Sequence, residues 1–183
     1  MIKLPVSLER RLKKLFSRAK DREQFVKETL GKALDEVEAL GTDGMPQAVG
    51  GTLHLYTDGG SRGNPGEAAI GCVLVDPLTD KILEEHKESI GIHTNNVAEY
   101  RAVIAGLEMA KRYHPNRLVC HLDSELVTKQ LAGEYRVKMP TLQPLFDEIT
   151  EHLDGFNDVS FHHIKREENM RADMLVNAAL DRL

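Results

Sequence analysis

Four acidic residues stand at places from which a folded chain can bring them together, and converging carboxylates do metal chemistry. The sharpest is Asp58, which ends a short apolar stretch and opens Asp58-Gly-Gly-Ser-Arg-Gly-Asn-Pro-Gly66, with four glycines behind it. Glycine lets backbone approach a bulky ligand closely, and its amides can meet an anion or a sugar. On its own this loop is equally a hairpin turn carrying a solvated aspartate. Glu99 lies in Thr94-Asn-Asn-Val-Ala-Glu-Tyr100, Asp123 follows the apolar run 117–122, and Asp173 closes Arg166-Glu-Glu-Asn-Met-Arg-Ala-Asp173. Singly, each passes for a solvated acid or a helix N-terminal charge. As a cluster they would repel one another unless hard divalent cations lay between them, and Mg²⁺ takes oxygen ligands in this way. A paired-metal site of that kind serves phosphodiester hydrolysis.

Periodicity supplies the elements that must position these acids. Thr52–Thr57 alternates around Leu53, Leu55 and Thr57, Ala68–Val75 is short and apolar, and Lys81–Ile90 alternates more loosely. The turn formers Asp76-Pro77 and Thr79-Asp80 separate them, so three consecutive strands in a meander are predicted. Asn95–Tyr113 is rich in helix formers and ends before His114-Pro115, since proline disfavours helix in the residue before it. Then follow a strand over Arg117–Leu122, a short helix over Ser124–Leu131 capped by Ser124, a helix over Thr141–Leu153, a strand over Val159–Lys165 and a helix over Glu168–Leu183. The order βββαβααβα predicts an α/β fold, a mixed sheet with an antiparallel meander at one edge and helices on its faces.

Composition narrows the class. The 183 residues are 41% hydrophobic and 29% charged, enough for a real core in one domain plus an appendage, which excludes collagen-like, disulfide-rich and wholly disordered chains. The longest apolar-plus-glycine run, Ala68–Val75, is far below the ~20 residues that cross a bilayer, and no signal-peptide pattern opens the chain. A soluble protein without a membrane partner is expected. Cys72 and Cys120 fall inside apolar runs and read as buried thiols in a reducing cytoplasm.

The net charge of −5 is unevenly spread: residues 1–47 carry ten Lys/Arg against eight Asp/Glu. Leu8, Leu12, Leu15, Phe16 and Ala19 recur at helical spacing, and a second amphipathic helix is predicted from Arg22 to Leu40, stopped by Gly41. The breaker-rich stretch 41–51 is a linker, which gives a helical extension over 1–47 and a main domain over 48–183. Within 8–22, seven basic residues face only Glu9 and Asp21. Such a segment can neutralise phosphates, or it can pack on the domain or on a second copy with its basic face solvated.

In their order along the chain, Tyr56-Thr-Asp-Gly-Gly-Ser-Arg-Gly-Asn-Pro-Gly66, Thr94-Asn-Asn-Val-Ala-Glu99, Leu122-Asp-Ser124 and Arg166–Asp173 resemble the motifs of type 1 ribonuclease H, over about residues 52–183. The resemblance implies a five-stranded mixed sheet flanked by helices and an endonuclease that cuts the RNA strand of RNA·DNA hybrids. It implies 5′-phosphate and 3′-hydroxyl ends and two Mg²⁺ ions, with Mn²⁺ as a substitute. By the same resemblance Asp58 bridges both ions, Asp173 completes the site that activates water, and Glu99 with Asp123 holds the ion facing the leaving oxygen. Backbone at Gly59 and Gly60, with Glu99, would read the RNA 2′-hydroxyl, while Asn64, Asn95 and Asn96 would touch the minor groove. Each of these asparagines is also a plausible turn or helix cap.

Three features depart from the pattern. The loop before Asp173 is short and lacks the histidine many members carry; His162 and His163 read as strand residues, and Arg166 is placed to approach a phosphate or pair with Glu167. Glu125 replaces a common glutamine, and no Trp- and Lys-rich protrusion is present, so the N-terminal helices are the candidate grip on hybrid. Two alternatives stay open: a binding module of the same fold that has lost catalysis, and a nuclease for another duplex such as double-stranded RNA.

Overall fold

In β1 (Thr52–Gly63) Leu53, Leu55 and Thr57 are buried while His54 and Tyr56 between them are only half-buried, the period-2 signature of a strand with two different faces. A computed structural model describes residues 20–21, 24–29, 32 and 51–181 and divides the chain into two compact units, Met1–Met45 and Pro46–Leu183. In the first unit the described residues are helical; 24–29 and 32 fall where the second amphipathic helix is predicted, and 20–21 just before it. The helix predicted from Leu8 to Ala19 and residues 41–50 of the predicted 41–51 linker lie outside the described residues. Among the described residues no helix is long and apolar enough to cross a membrane.

The second unit follows the expected order. β1 pairs antiparallel with β2 (Gly66–Asp76), and β2 with β3 (Lys81–His93). On the other side β1 pairs parallel with β4 (Arg117–Leu122), and β4 with β5 (Val159–His163). The sheet order is therefore β3-β2-β1-β4-β5, the mixed five-stranded sheet that the motifs imply. Among the described residues of this unit four α-helices accompany it: α1 (Asn95–Lys111), α2 (Glu125–Leu131), α3 (Gln143–Leu153) and α4 (Met170–Leu180).

One face of the sheet carries the main core. Leu53, Leu55, Leu74, Leu118 and Leu122 pack with Tyr100, Val103 and Leu107 of α1 and Leu145 and Ile149 of α3 in one buried cluster. Truncating any such leucine to alanine costs about 2–5 kcal/mol, depending on how far the cavity collapses. The Tyr100 hydroxyl is satisfied inside that core by donating to Gln130 Oε1 at 2.8 Å, which ties α1 to α2. α4 covers the other face: a Cβ on Gly60 would meet Val176, and one on Gly71 would meet the Ala172 carbonyl. Cys72 and Cys120 are free and buried, and burial pushes both thiols well above the usual range.

The structure corrects the glycine-rich loop. Strand β1 runs on through Gly59 and Gly60 to Gly63, paired residue by residue with β2, and the turn shrinks to Asn64-Pro65, joined by a cis peptide bond. Turn-forming residue types in the sequence hide the strand because close packing dictates them: a Cβ on Gly59 would lie 2.2 Å from the Ala98 carbonyl carbon in α1. β3 likewise extends three residues past the predicted Ile90, and α4 begins at Met170 after a short helical turn over Arg166–Glu168.

Candidate active site

Each acid is delivered by a different element. Asp58 sits in β1 opposite Gly71 of β2. Glu99 lies in the second turn of α1, whose start is fixed by Thr94, its hydroxyl accepting from the Val97 amide at 3.4 Å. Thr94, not Asn95, is thus the side-chain cap of that helix. Asp123 leaves the end of β4, where the next residue, Ser124, caps α2 as expected by accepting from the Val127 amide. Asp173 is in the first turn of α4, where a negative charge suits the helix dipole.

The first three converge. One carboxylate oxygen from each of Asp58, Glu99 and Asp123 lies within 4.8 Å of the others, with Asp58 and Glu99 buried and Asp123 half-buried. Burial, then the charges of Asp123 and Asp173, pushes Asp58 up to about 7, against the pull of Arg166 and the Gly59 amide. Glu99 is raised well above the carboxylate range by burial first and then by Asp58 and Asp123. Its Oε2 is buried without a hydrogen-bond partner. These are signs of a cluster built for a positive charge.

Asp173 lines the same cleft, of about 540 Å³, but stands outside the tight group of three. Its Oδ1 accepts from Arg166 Nη2 and its Oδ2 from Asn177 Nδ2 at 2.9 Å. Arg166 therefore pairs with Asp173 rather than with Glu167. Gly59, Gly60 and Asn95 also line the cleft. Asn64 is exposed at the β1–β2 turn, where its Oδ1 accepts from the Asn95 amide at 3.2 Å and fastens the turn to the start of α1. Asn96 is half-buried in the first turn of α1 and does not line the cleft.

Glu125 does not line the cleft: it forms an exposed ion pair with Lys129, 2.6 Å away and one turn along α2. His162 bonds Ser160 at the surface, whereas His163 reaches back to the Asp123 carbonyl at 3.2 Å. Sequence reasoning missed Asn169. It is 1% exposed, and its Nδ2 donates to the Thr57 carbonyl at 2.9 Å and to Asp123 Oδ1 at 3.3 Å. The sequence reading places it inside the helix predicted from Glu168, whereas the structure sets it at the N-cap of α4, where its side chain makes no capping bond.

A mixed sheet in this strand order, with carboxylates delivered by the central strand β1, by the end of its parallel neighbour β4 and by the helix α1 that precedes β4, is the ribonuclease H fold. The structure of RNase H1 from Halobacterium salinarum matches with a TM-score of 0.70 at 45% identity, covering 73% of this chain and 100% of that one. The chain belongs to the ribonuclease HI-like family. It is 46% identical over 132 residues to the ribonuclease HI of H. salinarum, covering 72% of this chain and 66% of that protein. The family model described as reverse transcriptase-like matches residues 56–179. LC11-RNase H1, solved in complex with an RNA/DNA hybrid, matches with a TM-score of 0.67 at 42% identity, covering 71% of this chain and 97% of that one. The chain spans 66% of the length of its halobacterial relative and 35% of that of its mycobacterial ones.

Proposed function

We propose that the protein is an endoribonuclease that hydrolyses the RNA strand of RNA·DNA hybrids, leaving 5′-phosphate and 3′-hydroxyl ends. The observation that carries this reading is the convergence of Asp58, Glu99 and Asp123 within 4.8 Å in a cleft that also holds Asp173. The donor set fits hard divalent cations, since every candidate ligand atom is a carboxylate oxygen and Glu99 Oε2 is buried and unpartnered. Asp58, Glu99, Asp123 and Asp173 would hold two Mg²⁺ ions, with Mn²⁺ able to substitute. Bound there, the ions supply Lewis-acid stabilisation of the charge on the attacking and leaving oxygens of the phosphodiester.

The chain's own residues orient substrate and acids. Backbone at Gly59 and Gly60, together with Glu99, reads the 2′-hydroxyl, the group that distinguishes the strand to be cut. Asn64 and Asn95, held together by their hydrogen bond, and Asn96 offer amides to the minor groove. Arg166 is largely exposed and steadies Asp173. Residues 48–183 would form the catalytic unit, with the basic stretch of residues 1–47 serving either as a grip on phosphates or in self-association, in a protein of the cytoplasm.

The test is gel analysis of end-labelled RNA·DNA, RNA·RNA and DNA·DNA duplexes incubated with the protein and Mg²⁺ or Mn²⁺. Cutting confined to the RNA strand of the hybrid, and lost with EDTA, supports the reading. Cutting of RNA·RNA would move the substrate assignment, and a gel shift of hybrid without cutting would favour a binding module. Removing residues 1–47 should weaken hybrid binding and flatten its salt dependence if that segment is a grip.

A further inference from the structure

Asn169 touches three of the four segments that carry the acids. Its side-chain nitrogen donates to the carbonyl of Thr57, the residue before Asp58, and to Asp123 itself. Its backbone carbonyl accepts from the Asp173 amide at 3.1 Å. Both side-chain partners are acceptors, so the amide can only be oriented with its nitrogen toward them. Its other end, Oδ1, is buried with no partner.

An unpartnered buried acceptor costs free energy, so a side chain placed for stability alone would use both ends of the amide. Only the donor end is used, shared between the Thr57 carbonyl and the Asp123 carboxylate. A neutral donor steadies Asp123 without adding a positive charge to compete with a cation, which an arginine or lysine in the same place would do.

We propose that Asn169 is a positioning residue. It fixes the Asp123 carboxylate and, through Thr57 and the start of α4, sets the spacing between Asp58, Asp123 and Asp173, so that the acids are preorganised for divalent ions. The inference rests on the proposed reading of the cleft as a cation site. Residues that orient metal ligands change metal affinity by about 10–100-fold when removed.

The experiment is calorimetric titration of Mn²⁺ into the full chain, as wild type, Asn169→Ala, Asp123→Asn, the double variant and Asp58→Asn, each checked for folding by circular dichroism. Asn169→Ala is expected to weaken Mn²⁺ binding at least about tenfold. In the Asp123→Asn background the same change should cost less, because the part of the effect that runs through Asp123 is already gone. In turnover, kcat and the half-saturating Mn²⁺ should shift while KM for hybrid stays within about twofold. A folded Asn169→Ala variant that binds Mn²⁺ like the wild type, with only its melting temperature lowered, overturns the proposal and leaves Asn169 a structural brace. Where the alanine variant does not fold, Asn169→Ser, which keeps a donor, takes its place with the same expected direction. Wild type and Asp58→Asn both failing to bind Mn²⁺ would instead overturn the cation reading, and this inference with it.

Discussion

The Arg166 guanidinium donates to Asp173 Oδ1 across the turn that opens α4, while Asn177 donates to the other oxygen, so the fourth acid of the cleft is held on both sides. Asp58, Glu99 and Asp123 crowd one another, and Asp173 alone has a cation for a partner. The pair is largely solvent-exposed on the arginine side.

Arg166→Ala should therefore separate stability from activity. An exposed ion pair contributes about 0–1 kcal/mol, so the melting temperature should barely move. Hybrid cleavage should fall about tenfold or more, the effect of losing one charge-assisted hydrogen bond that orients a site residue. Unchanged kcat beside an unchanged melting temperature would show that the pairing has no part in the reaction.

Gly59 and Gly60 should respond differently to a methyl group. On Gly59 the new carbon would strike α1 backbone at 2.2 Å, which cannot rotate away, so Gly59→Ala should cost about 1–3 kcal/mol or more, read by denaturant unfolding. On Gly60 it would meet only a Val176 methyl at 2.9 Å, which can yield. Gly60→Ala should fold, with its loss showing in KM for hybrid if backbone there meets the 2′-hydroxyl.

These glycines also mark what the sequence could and could not reveal. The alternation of Leu53, Leu55 and Thr57, and an acid at or beyond each central strand, were legible because period and burial go together. The continuation of β1 through Gly59 was not, because its glycines answer to α1, forty residues further on. The Asn169 network was hidden for the same reason: its partners, Thr57 and Asp123, are 112 and 46 residues away. The pairing of Glu125 with Lys129 was in principle readable, since Lys129 stands at the i+4 position where such pairs form.

Without metal, Asp58 should be a burden on the fold. Its pKa of about 7 lies above the ordinary 3.8, so the folded state carries an unfavourable charge that is fully felt above pH 7 and fades as pH falls toward 3.8. In EDTA at pH 8, Asp58→Asn should melt several degrees above the wild type, since about 1 kcal/mol moves a domain of this size by roughly 4 °C. The gap should narrow by pH 5. A variant that melts lower at pH 8 would contradict the account of the cluster.

Two histidines should set the acid limit. His54 Nδ1 lies 3.2 Å from His121 Nε2, and Tyr56 stacks on the His121 ring at 4.6 Å. Burial first, then neighbouring charges, lowers both imidazoles, with His121 reaching about 4. Between pH 6.5 and about 4 the unfolded chain therefore binds more protons at these sites than the folded one, and their contribution to stability is complete above 6.5 and lost as pH falls. Melting curves from pH 7.5 to 4.5 should show a smaller acid loss for His121→Gln than for the wild type. Parallel curves would remove these histidines from the explanation.

The most direct test of the central claim is the fraction of labelled RNA cut in an RNA·DNA hybrid by wild type and by Asp58→Asn at matched protein concentration with Mg²⁺. The expected result is cleavage by the wild type, abolished by EDTA, and none by Asp58→Asn although that variant folds and still shifts the hybrid on a native gel. Equal cutting by both proteins would contradict the assignment of the carboxylate cluster as the catalytic centre.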